Sequence, residues 1–590
     1  MSLSSRFGPL GMFATEDVDR STLSPPLEGL PPALGVASNS RRGVRFTTVL
    51  IVLLGLALYL PGINWGLPSA VSWSQDTIAG VRTLGAVETW PAHWAGRYPP
   101  LHYLLLRACY EPALRYWNRN SESAVDPARH DWRGSERGSE RGSERTELRP
   151  PYPPKLGQLI LIARLVSVAM AILAGLGLAA ATRQIVRDEW AAGTAAVTLM
   201  TGADFAYFAR LGNVDVPSMC WLAWSVYFYL RVLRTNRLID AALLGLLGSL
   251  AISTKDSVAG IYPGMAVVLW LAEAGRLRGD GPLPTALAKA LWQPKWLVGL
   301  VAFALPYLFL NGVFVNPGAY ADRMRYWFGV TPDTLHLRQH RYAGQTALLL
   351  ASLWYAAGAV GWPMLAAMVL AVFHALRRHA RSALILLAPA LGYYLIVIAP
   401  QRFVYSRFLF PPLALIGVLV GLALSDWFRR RRVSVAMRCL APLVVFIPSL
   451  GYATAVSAEM ITDSRYEAEA WFAEHVPPPS SVGAFSKPQY LPRLQEAGYA
   501  TYAVEMSREA FTRPQPEYLV LTSYNYEDFI AEARACMNEL VGGRLGYAVV
   551  IVFRGRYLGY GWSWLSLAGW AAPTPGKISP TIIILRRDGS

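Results

Sequence analysis

Four polar segments of the chain, separated by long apolar runs, combine carboxylates with cations. They are "WSQDTIAG" with Asp76, "RLGNVDVP" with Asp215, "STKDS" with Lys255 and Asp256, and "PQRFVYSRFLFPP" with Arg402, Tyr405 and Arg407. A carboxylate can take a proton from a hydroxyl group, and arginine or lysine can hold a phosphate. Brought together by folding, such segments would bind an anionic substrate and activate a hydroxyl group.

Each of these residues also has a simpler interpretation. Asp76 and Asp215 could each cap a helix, because an aspartate at a helix start accepts orphan backbone N–H groups, and Pro217 favours a helix start at Asp215. Lys255 and Asp256 could form a surface ion pair, which contributes little to stability. Their position relative to the membrane and to each other therefore decides between the two interpretations.

The composition predicts the elements that position these segments. Of 590 residues, 53% are hydrophobic and 16% are charged, which is typical of a polytopic membrane protein. We predict an α-helical membrane protein with about 11 transmembrane helices, since a span needs about 20 apolar residues. The runs lie near 44–61, 157–182, 190–209, 216–234, 237–253, 257–275, 295–315, 350–376, 382–399, 408–427 and 436–457.

The basic residues between the runs predict the topology. If the N-terminal tail is cytoplasmic, every short inner loop is basic, from Arg183 and Arg187 to the "RRRR" run at 429–432, as the positive-inside rule requires. This placement explains the net charge of +16 without nucleic-acid binding. All four polar segments then lie on the outer face of a bacterial cytoplasmic membrane, where the first loop adds Glu88, Arg97 and His102 as candidate substrate ligands.

Three parts of the chain are predicted from these patterns. Residues 1–43, rich in Ser, Pro and Gly, form a disordered cytoplasmic tail, and 44–457 form the transmembrane catalytic domain. Its first outer loop, 62–156, contains the low-complexity repeat 133–145, which cannot bury a core. Residues 458–590 alternate β-rich runs such as "EYLVLTS" and "TIIILR" with helical patterns, and predict a small extracytoplasmic α/β domain.

No cofactor is predicted. The chain has neither the G-x-x-x-x-G-K-[ST] motif nor a G-x-G-x-x-G motif between a strand and a helix, which disfavours ATP and NAD chemistry. His336 and His340 are four residues apart but lack an H-E-x-x-H frame, so we interpret them as part of a solvated loop. No metal ligand is predicted; a divalent cation is compatible with the site but not indicated by any motif.

The order of these features resembles a known superfamily. The chain is similar to the GT-C integral-membrane glycosyltransferases in four features that occur in the same order. These are a first span, an outer loop with an early aspartate followed by "YPPLHYLLL", an outer "TKD" turn and a late "YSRFLFPPL". The resemblance covers about residues 44–457 and is closest to the bacterial protein O-mannosyltransferase and aminoarabinose-transferase-like group. It implies an inverting transfer of a sugar from a polyprenyl-phosphate donor to a hydroxyl group of a lipid, glycan or protein.

The resemblance also implies roles for particular residues. Asp76 would be the general base, and Lys255, Arg402 and Arg407 would hold the donor phosphate. The family often has Asp-Glu at the first-loop motif, whereas Thr77 follows Asp76 here. Asp215 is therefore a second candidate for the base or for positioning the acceptor.

Two other functions remain as alternatives. A transporter or lipid flippase for a glycolipid would need charged residues deep within the spans on both sides of the midplane, whereas here they gather on one predicted face. A non-catalytic assembly scaffold would use the C-terminal domain to bind partners and would not depend on the polar segments.

Overall fold

The computed structural model describes residues 41–590 apart from several gaps. The gaps are 70–71, 75, 79, 89, 92–93, 95–97, 121–154, 280, 328–341, 431–433, 486–487, 505, 510, 512–515, 524–530, 558–577 and 590. Four sequence predictions therefore lie outside the described residues: most of the disordered tail, the repeat 133–145, the histidine pair His336 and His340, and the substrate ligand Arg97.

Helices dominate the part of the chain up to residue 475. In chain order they are α1 (Arg41–Tyr59), α2 (Val81–Glu88), α3 (Leu101–Asn120), α4 (Lys155–Ile185), α5 (Glu189–Met200), α6 (Ala203–Phe208), α7 (Asp215–Thr235), α8 (Leu238–Ile252), α9 (Tyr262–Arg278), α10 (Leu283–Leu291), α11 (Pro294–Leu310), α12 (Pro317–Trp327), α13 (Gln345–Val360), α14 (Trp362–Arg378), α15 (Ala380–Tyr393), α16 (Ala399–Gln401), α17 (Phe410–Arg429), α18 (Val435–Ile461) and α19 (Ser464–His475). Helices α9, α10, α11, α14 and α17 each have a proline in the first turn, where its missing N–H is not needed.

The helices confirm a multi-pass helical membrane protein. Among the described residues, seven helical segments are long and apolar enough to cross a membrane, and an eighth is added if α13 and α14, bent by 117°, count as one span. The remaining predicted runs are also helical. They are shorter, as in α5 with 12 residues and α8 with 15, or carry charges near their ends, as in α7.

Small residues bring the helices close together. A Cβ atom on Gly245 of α8 would lie 2.0 Å from the carbonyl oxygen of Gly299 in α11, so only glycine allows this approach. Gly264 of α9 meets the backbone of α15 in the same way, with Ala388 O 2.5 Å from the position of a Cβ atom. Small residues at helix contacts are typical of membrane proteins, because close packing replaces the hydrophobic effect as the source of association.

A five-stranded sheet at the C-terminus confirms the small α/β domain. The strands are β1 (Ser481–Ala484), β2 (Ala500–Ala503), β3 (Tyr518–Thr522), β4 (Tyr547–Phe553) and β5 (Ile582–Arg587), with α20 (Ala531–Val541) between β3 and β4. Their order is β2-β1-β3-β5-β4, parallel among the first three and antiparallel from β3 to β5 and β4. Strand β3 is buried along its length, so it forms the centre of this core.

The C-terminal domain is joined to the helices through a buried contact that we call the tryptophan junction, formed by Trp65, Trp73, Asp463 and Arg465. Trp65 Nε1 donates to Asp463 Oδ2 at 2.8 Å, and Arg465 Nη2 donates to the same oxygen at 2.7 Å. The guanidinium carbon of Arg465 lies 4.2 Å from the ring centroid of Trp73. Trp73 comes three residues before Asp76, so the junction supports the segment that carries this carboxylate.

Candidate active site

Four of the predicted residues meet at one end of the helix bundle. Asp76 lies in the connection between α1 and α2, and Asp215 is the first residue of α7. Lys255 follows α8, and Arg407 lies in the single helical turn Ser406–Leu409 that leads into α17. We call Asp76, Asp215, Lys255 and Arg407 the cation–carboxylate cluster.

The two cations of the cluster are paired with its two carboxylates. Arg407 Nη1 donates to Asp76 Oδ1 at 2.7 Å and lies 4.0 Å from Asp215 Oδ2. Lys255 Nζ donates to Asp215 Oδ1. The Asp215 and Lys255 side chains are 2% and 6% exposed, whereas those of Asp76 and Arg407 are 11% and 18% exposed. The Asp215–Lys255 pair is therefore buried, whereas the Asp76–Arg407 pair is partly exposed to solvent.

Backbone hydrogen bonds between distant segments hold the cluster together. Ile78 N donates to Gly212 O at 3.1 Å, which joins the Asp76 segment to the turn before α7. Leu101 N donates to Ser253 O at 3.1 Å, which joins the start of α3 to the turn that carries Lys255. The segment "YPPLHYLLL" thus leads into α3 and lies next to the turn that carries Lys255.

The capping interpretation is wrong for both aspartates. Helix α7 begins at Asp215 itself, with no side-chain hydrogen bond from the preceding residue. The Asp215 carboxylate instead accepts from Asn213 Nδ2 at 2.8 Å as well as from Lys255. Asp76 lies in a turn well before α2, which begins at Val81, so it does not open a helix either.

Burial and aromatic rings shape the electrostatics of the cluster. Burial lowers the pKa of Lys255, and the charge of Asp215 opposes that shift. Lys255 Nζ lies 5.2 Å from the ring centroid of Phe408, and the guanidinium carbon of Arg407 lies 5.6 Å from that of Tyr405. The aromatic faces attract the cations and displace water around them, which strengthens their interaction with an anion.

Asp256 does not pair with Lys255. Its Oδ2 lies 3.4 Å from Arg323 Nε, and Arg323 Nη2 donates to Asn311 Oδ1 at 2.6 Å. Asn311 Nδ2 in turn donates to Ser253 Oγ at 3.0 Å. The interpretation as a surface pair is therefore wrong: Asp256 belongs to a second, largely buried network that holds the turn on which Lys255 sits.

The other predicted ligands lie outside the cluster. Glu88 is exposed at the end of α2, and Arg402 is exposed with φ +51°. Among the described residues, no hydrogen bond or ion pair joins either side chain to the cluster. His102 is buried, and burial lowers its pKa to about 3, so its imidazole is neutral and brings no charge to a phosphate. Tyr405 adjoins Arg407 through its ring, as given above.

Two buried arginines, Arg164 and Arg210, bind backbone segments around the cluster. Arg164, inside the long helix α4, donates to the carbonyl oxygens of Ile63 and Trp65 at 2.7 and 2.8 Å. Arg210 donates to Leu58 O at 2.7 Å and to Ser457 Oγ at 3.0 Å. Sequence reasoning missed Arg164; its signal is a lone cation within an apolar run, which is costly unless it has partners.

The arrangement suits an anionic ligand. Lys255 contacts one carboxylate oxygen of Asp215, and Arg407 lies 4.0 Å from the other. Each cation could also bind a phosphate oxygen in place of a carboxylate oxygen. Asp76, the more exposed carboxylate, lies beside them where a hydroxyl group could approach. The cluster thus brings two carboxylates and two cations together.

One family of membrane glycosyltransferases matches part of the chain. Residues 155–292 match the family model described as dolichyl-phosphate-mannose-protein mannosyltransferase, less than a quarter of the chain. This match confirms the similarity to GT-C membrane glycosyltransferases over α4 to α10. No curated protein sequence is detectably similar to the chain.

Several solved structures have a partly similar course of the chain. ArnT from Cupriavidus metallidurans bound to undecaprenyl phosphate is 13% identical, with a TM-score of 0.44 over 92% of this chain and 98% of that one. An oligosaccharyltransferase of Archaeoglobus fulgidus tethered with an acceptor peptide is 14% identical, with a TM-score of 0.44 over 89% and 75%. The protein O-mannosyltransferase complex of S. cerevisiae bound to the sugar donor is 14% identical, with a TM-score of 0.33 over 48% and 35%. Scores below 0.5 describe a loose likeness only.

Proposed function

We propose that the protein transfers a sugar from a polyprenyl-phosphate donor to a hydroxyl group of an acceptor, with inversion at the anomeric carbon. The observation that carries this proposal is the cation–carboxylate cluster at one end of a membrane helix bundle. Two cations beside two carboxylates suit a phosphate leaving group and a hydroxyl nucleophile. The family match over α4 to α10 favours the same reaction class.

The geometry favours Asp76 over Asp215 as the general base. Asp215 has one oxygen engaged by Lys255 and the other by Asn213, and its side chain is only 2% exposed. An acceptor would have to displace these partners to reach it. Asp76 is more exposed and contacts Arg407, which a donor phosphate would draw away. Asp215 is then a positioning residue for the two cations.

The proposed step is a single displacement. The acceptor oxygen attacks the anomeric carbon as its proton passes to Asp76, and the bond between that carbon and the phosphate oxygen breaks. The electron pair of that bond stays on polyprenyl phosphate, whose added charge is stabilised by Arg407 and Lys255. Attack on the face opposite the leaving group inverts the configuration.

We further propose that the reaction takes place on the outer face of a bacterial cytoplasmic membrane. The basic loops of the sequence favour an outer position for the cluster end of the bundle, under the positive-inside rule. A lipid-linked donor reaches such a site within the membrane, and no nucleotide is required there. Because the tryptophan junction joins the C-terminal domain to the Asp76 segment, we expect this domain to contact the acceptor.

The test is the Asp76→Asn variant of the purified full-length protein. The amide keeps the shape of the side chain but cannot take the proton, so we expect the transfer rate to fall by about 100-fold or more. Wild type and variant are incubated with a panel of polyprenyl-phosphate sugars, and released or transferred sugar is measured. Glu111→Gln on α3, which removes an exposed carboxylate paired with Arg107 and Arg115, is the matched control.

Each outcome is informative. Full activity in Asp76→Asn, with loss in Asp215→Asn, would reassign the base to Asp215. No release or transfer from any donor by the wild-type protein, together with uptake of labelled glycolipid into proteoliposomes, would favour the transporter or flippase alternative.

A further inference from the structure

Two histidines and an aspartate converge at a place that the proposed reaction does not use. His374 lies in α14, His379 lies between α14 and α15, and Asp426 lies in α17. The Nε2 atoms of His374 and His379 are 2.9 and 2.6 Å from the same atom, Asp426 Oδ2. All three side chains are between 16% and 23% exposed, so a small ion could reach them from solvent.

We propose that His374, His379 and Asp426 bind a divalent transition-metal ion, with Zn²⁺ fitting best. One possible ligand atom from each residue lies within 4.8 Å of the other two. Two imidazole nitrogens and one carboxylate oxygen form a three-ligand set that suits tetrahedral Zn²⁺, whose fourth position is then open to water. Mg²⁺ and Ca²⁺ prefer sets made of oxygen alone.

Both histidines contact the same carboxylate oxygen, Asp426 Oδ2. Without a metal, both Nε2 atoms must carry a proton and donate it to Asp426 Oδ2, which fixes two tautomers at once. A cation at this point interacts with both nitrogens and the oxygen together. The neighbouring Arg377 and Arg378 are exposed, so water and salt screen their repulsion of the ion.

The metal would join two helices and the α14–α15 connection far from the cation–carboxylate cluster. Arg407 lies near the start of the segment Ser406–Arg429, and Asp426 lies near its end. This segment has 24 residues, which corresponds to about 36 Å at the helical rise. The ion would therefore link α14 and the α14–α15 connection to α17 at the opposite end of the bundle, and its role is structural rather than catalytic.

Binding is tested with the full-length protein in detergent, purified through a histidine-free tag and stripped with EDTA. We expect Co²⁺ to produce the visible absorption of a tetrahedral site, saturating at one equivalent and lost when Zn²⁺ is added. His379→Gln and Asp426→Asn should each weaken binding by more than about 100-fold, beyond the loss of an outer-shell partner. His475→Gln, which changes an exposed histidine of α19, should leave it unchanged.

A measurement on the wild-type protein covers the case in which a variant fails to fold. Zn²⁺ should raise the melting temperature of the stripped protein in a concentration-dependent manner, because it binds the folded state, and Mg²⁺ should not. The absence of saturable Co²⁺ binding, equal binding by His379→Gln, or a melting temperature insensitive to Zn²⁺ would each overturn the proposal. The three side chains would then be a hydrogen-bonded triad only.

Discussion

Removing the charge of Asp215 should destabilise the protein more than removing the whole pair that it forms with Lys255. In Asp215→Asn, the Lys255 ammonium group remains buried at 5% exposure without its carboxylate partner. Removal of one partner from a buried ion pair costs about 3–5 kcal/mol, because the other charge is left uncompensated. In the double variant Asp215→Asn/Lys255→Met no buried charge is left unpaired, so most of this loss should be recovered.

The assay is a double-mutant cycle on the free energy of unfolding, obtained by denaturant titration in detergent. We expect Asp215→Asn and Lys255→Met each to be destabilised and the double variant to be more stable than their sum, by about 0.5–3 kcal/mol or more. Additive losses would show that the two side chains do not interact. Wild-type stability in Asp215→Asn would refute the burial argument as a whole.

The same pair predicts a dependence of stability on pH. Because burial lowers the pKa of Lys255 in the folded state, the unfolded chain binds more protons between that value and about 10.4. Stability should therefore rise with pH across this window, as the cost of burying a charged lysine disappears. Loss of the Asp215 charge lowers the folded pKa further, so in Asp215→Asn the rise should begin at lower pH, whereas Lys255→Met should lack this contribution.

Three further predictions address the cluster, the junction and the helix packing. Arg407→Lys should lower kcat/KM by about 10- to 100-fold, because a lysine cannot reach both aspartates with the geometry of a guanidinium group. Arg465→Met should lower the free energy of unfolding by about 3–5 kcal/mol, since it leaves a fully buried carboxylate unpaired. Gly245→Ala should cost about 1–3 kcal/mol, because its methyl group would overlap a carbonyl oxygen of the neighbouring helix.

Matched variants control two of these measurements. Arg115→Lys changes an exposed arginine on α3 and should leave kcat/KM unchanged. Gly451→Ala adds a methyl group in α18 where no atom lies within 4 Å, so it should not destabilise the protein. Equal effects of Gly245→Ala and Gly451→Ala would contradict the close-approach argument, and a normal melting curve for Arg465→Met would contradict the role given to the junction.

The helical architecture could be predicted because hydropathy acts locally. Every predicted apolar run is helical in the described chain, and the β-rich runs after residue 480 form strands β1, β3, β4 and β5. The stretch 345–376 could hold an interfacial helix before its span, but hydropathy alone does not give the 117° bend between α13 and α14, where Gly361 has φ +86°. Strand β2 was not predicted from the sequence, because its pairing with β1 depends on tertiary packing rather than on the local pattern.

The candidate site could be predicted only in part, because side-chain partners depend on tertiary packing. Positions between the apolar runs indicated that Asp76, Asp215, Lys255 and Arg407 share one end of the bundle. Adjacent residues nevertheless point to different partners: Lys255 pairs with Asp215, whereas Asp256 turns to Arg323. The triad of two histidines and an aspartate has no sequence motif, since its members come from separate elements.

The tryptophan junction has a consequence for the order in which the protein is completed during synthesis. Trp65 and Trp73 emerge with the first loop, but Asp463 and Arg465 follow α18, the last long apolar helix. The segment carrying Asp76 therefore gains this support only after the ribosome has produced all the preceding helices. A chain truncated before α19 would retain its apolar helices and yet lack part of the frame around its proposed base. For the same reason, a chimera that exchanges the C-terminal domain must also exchange the first-loop tryptophans.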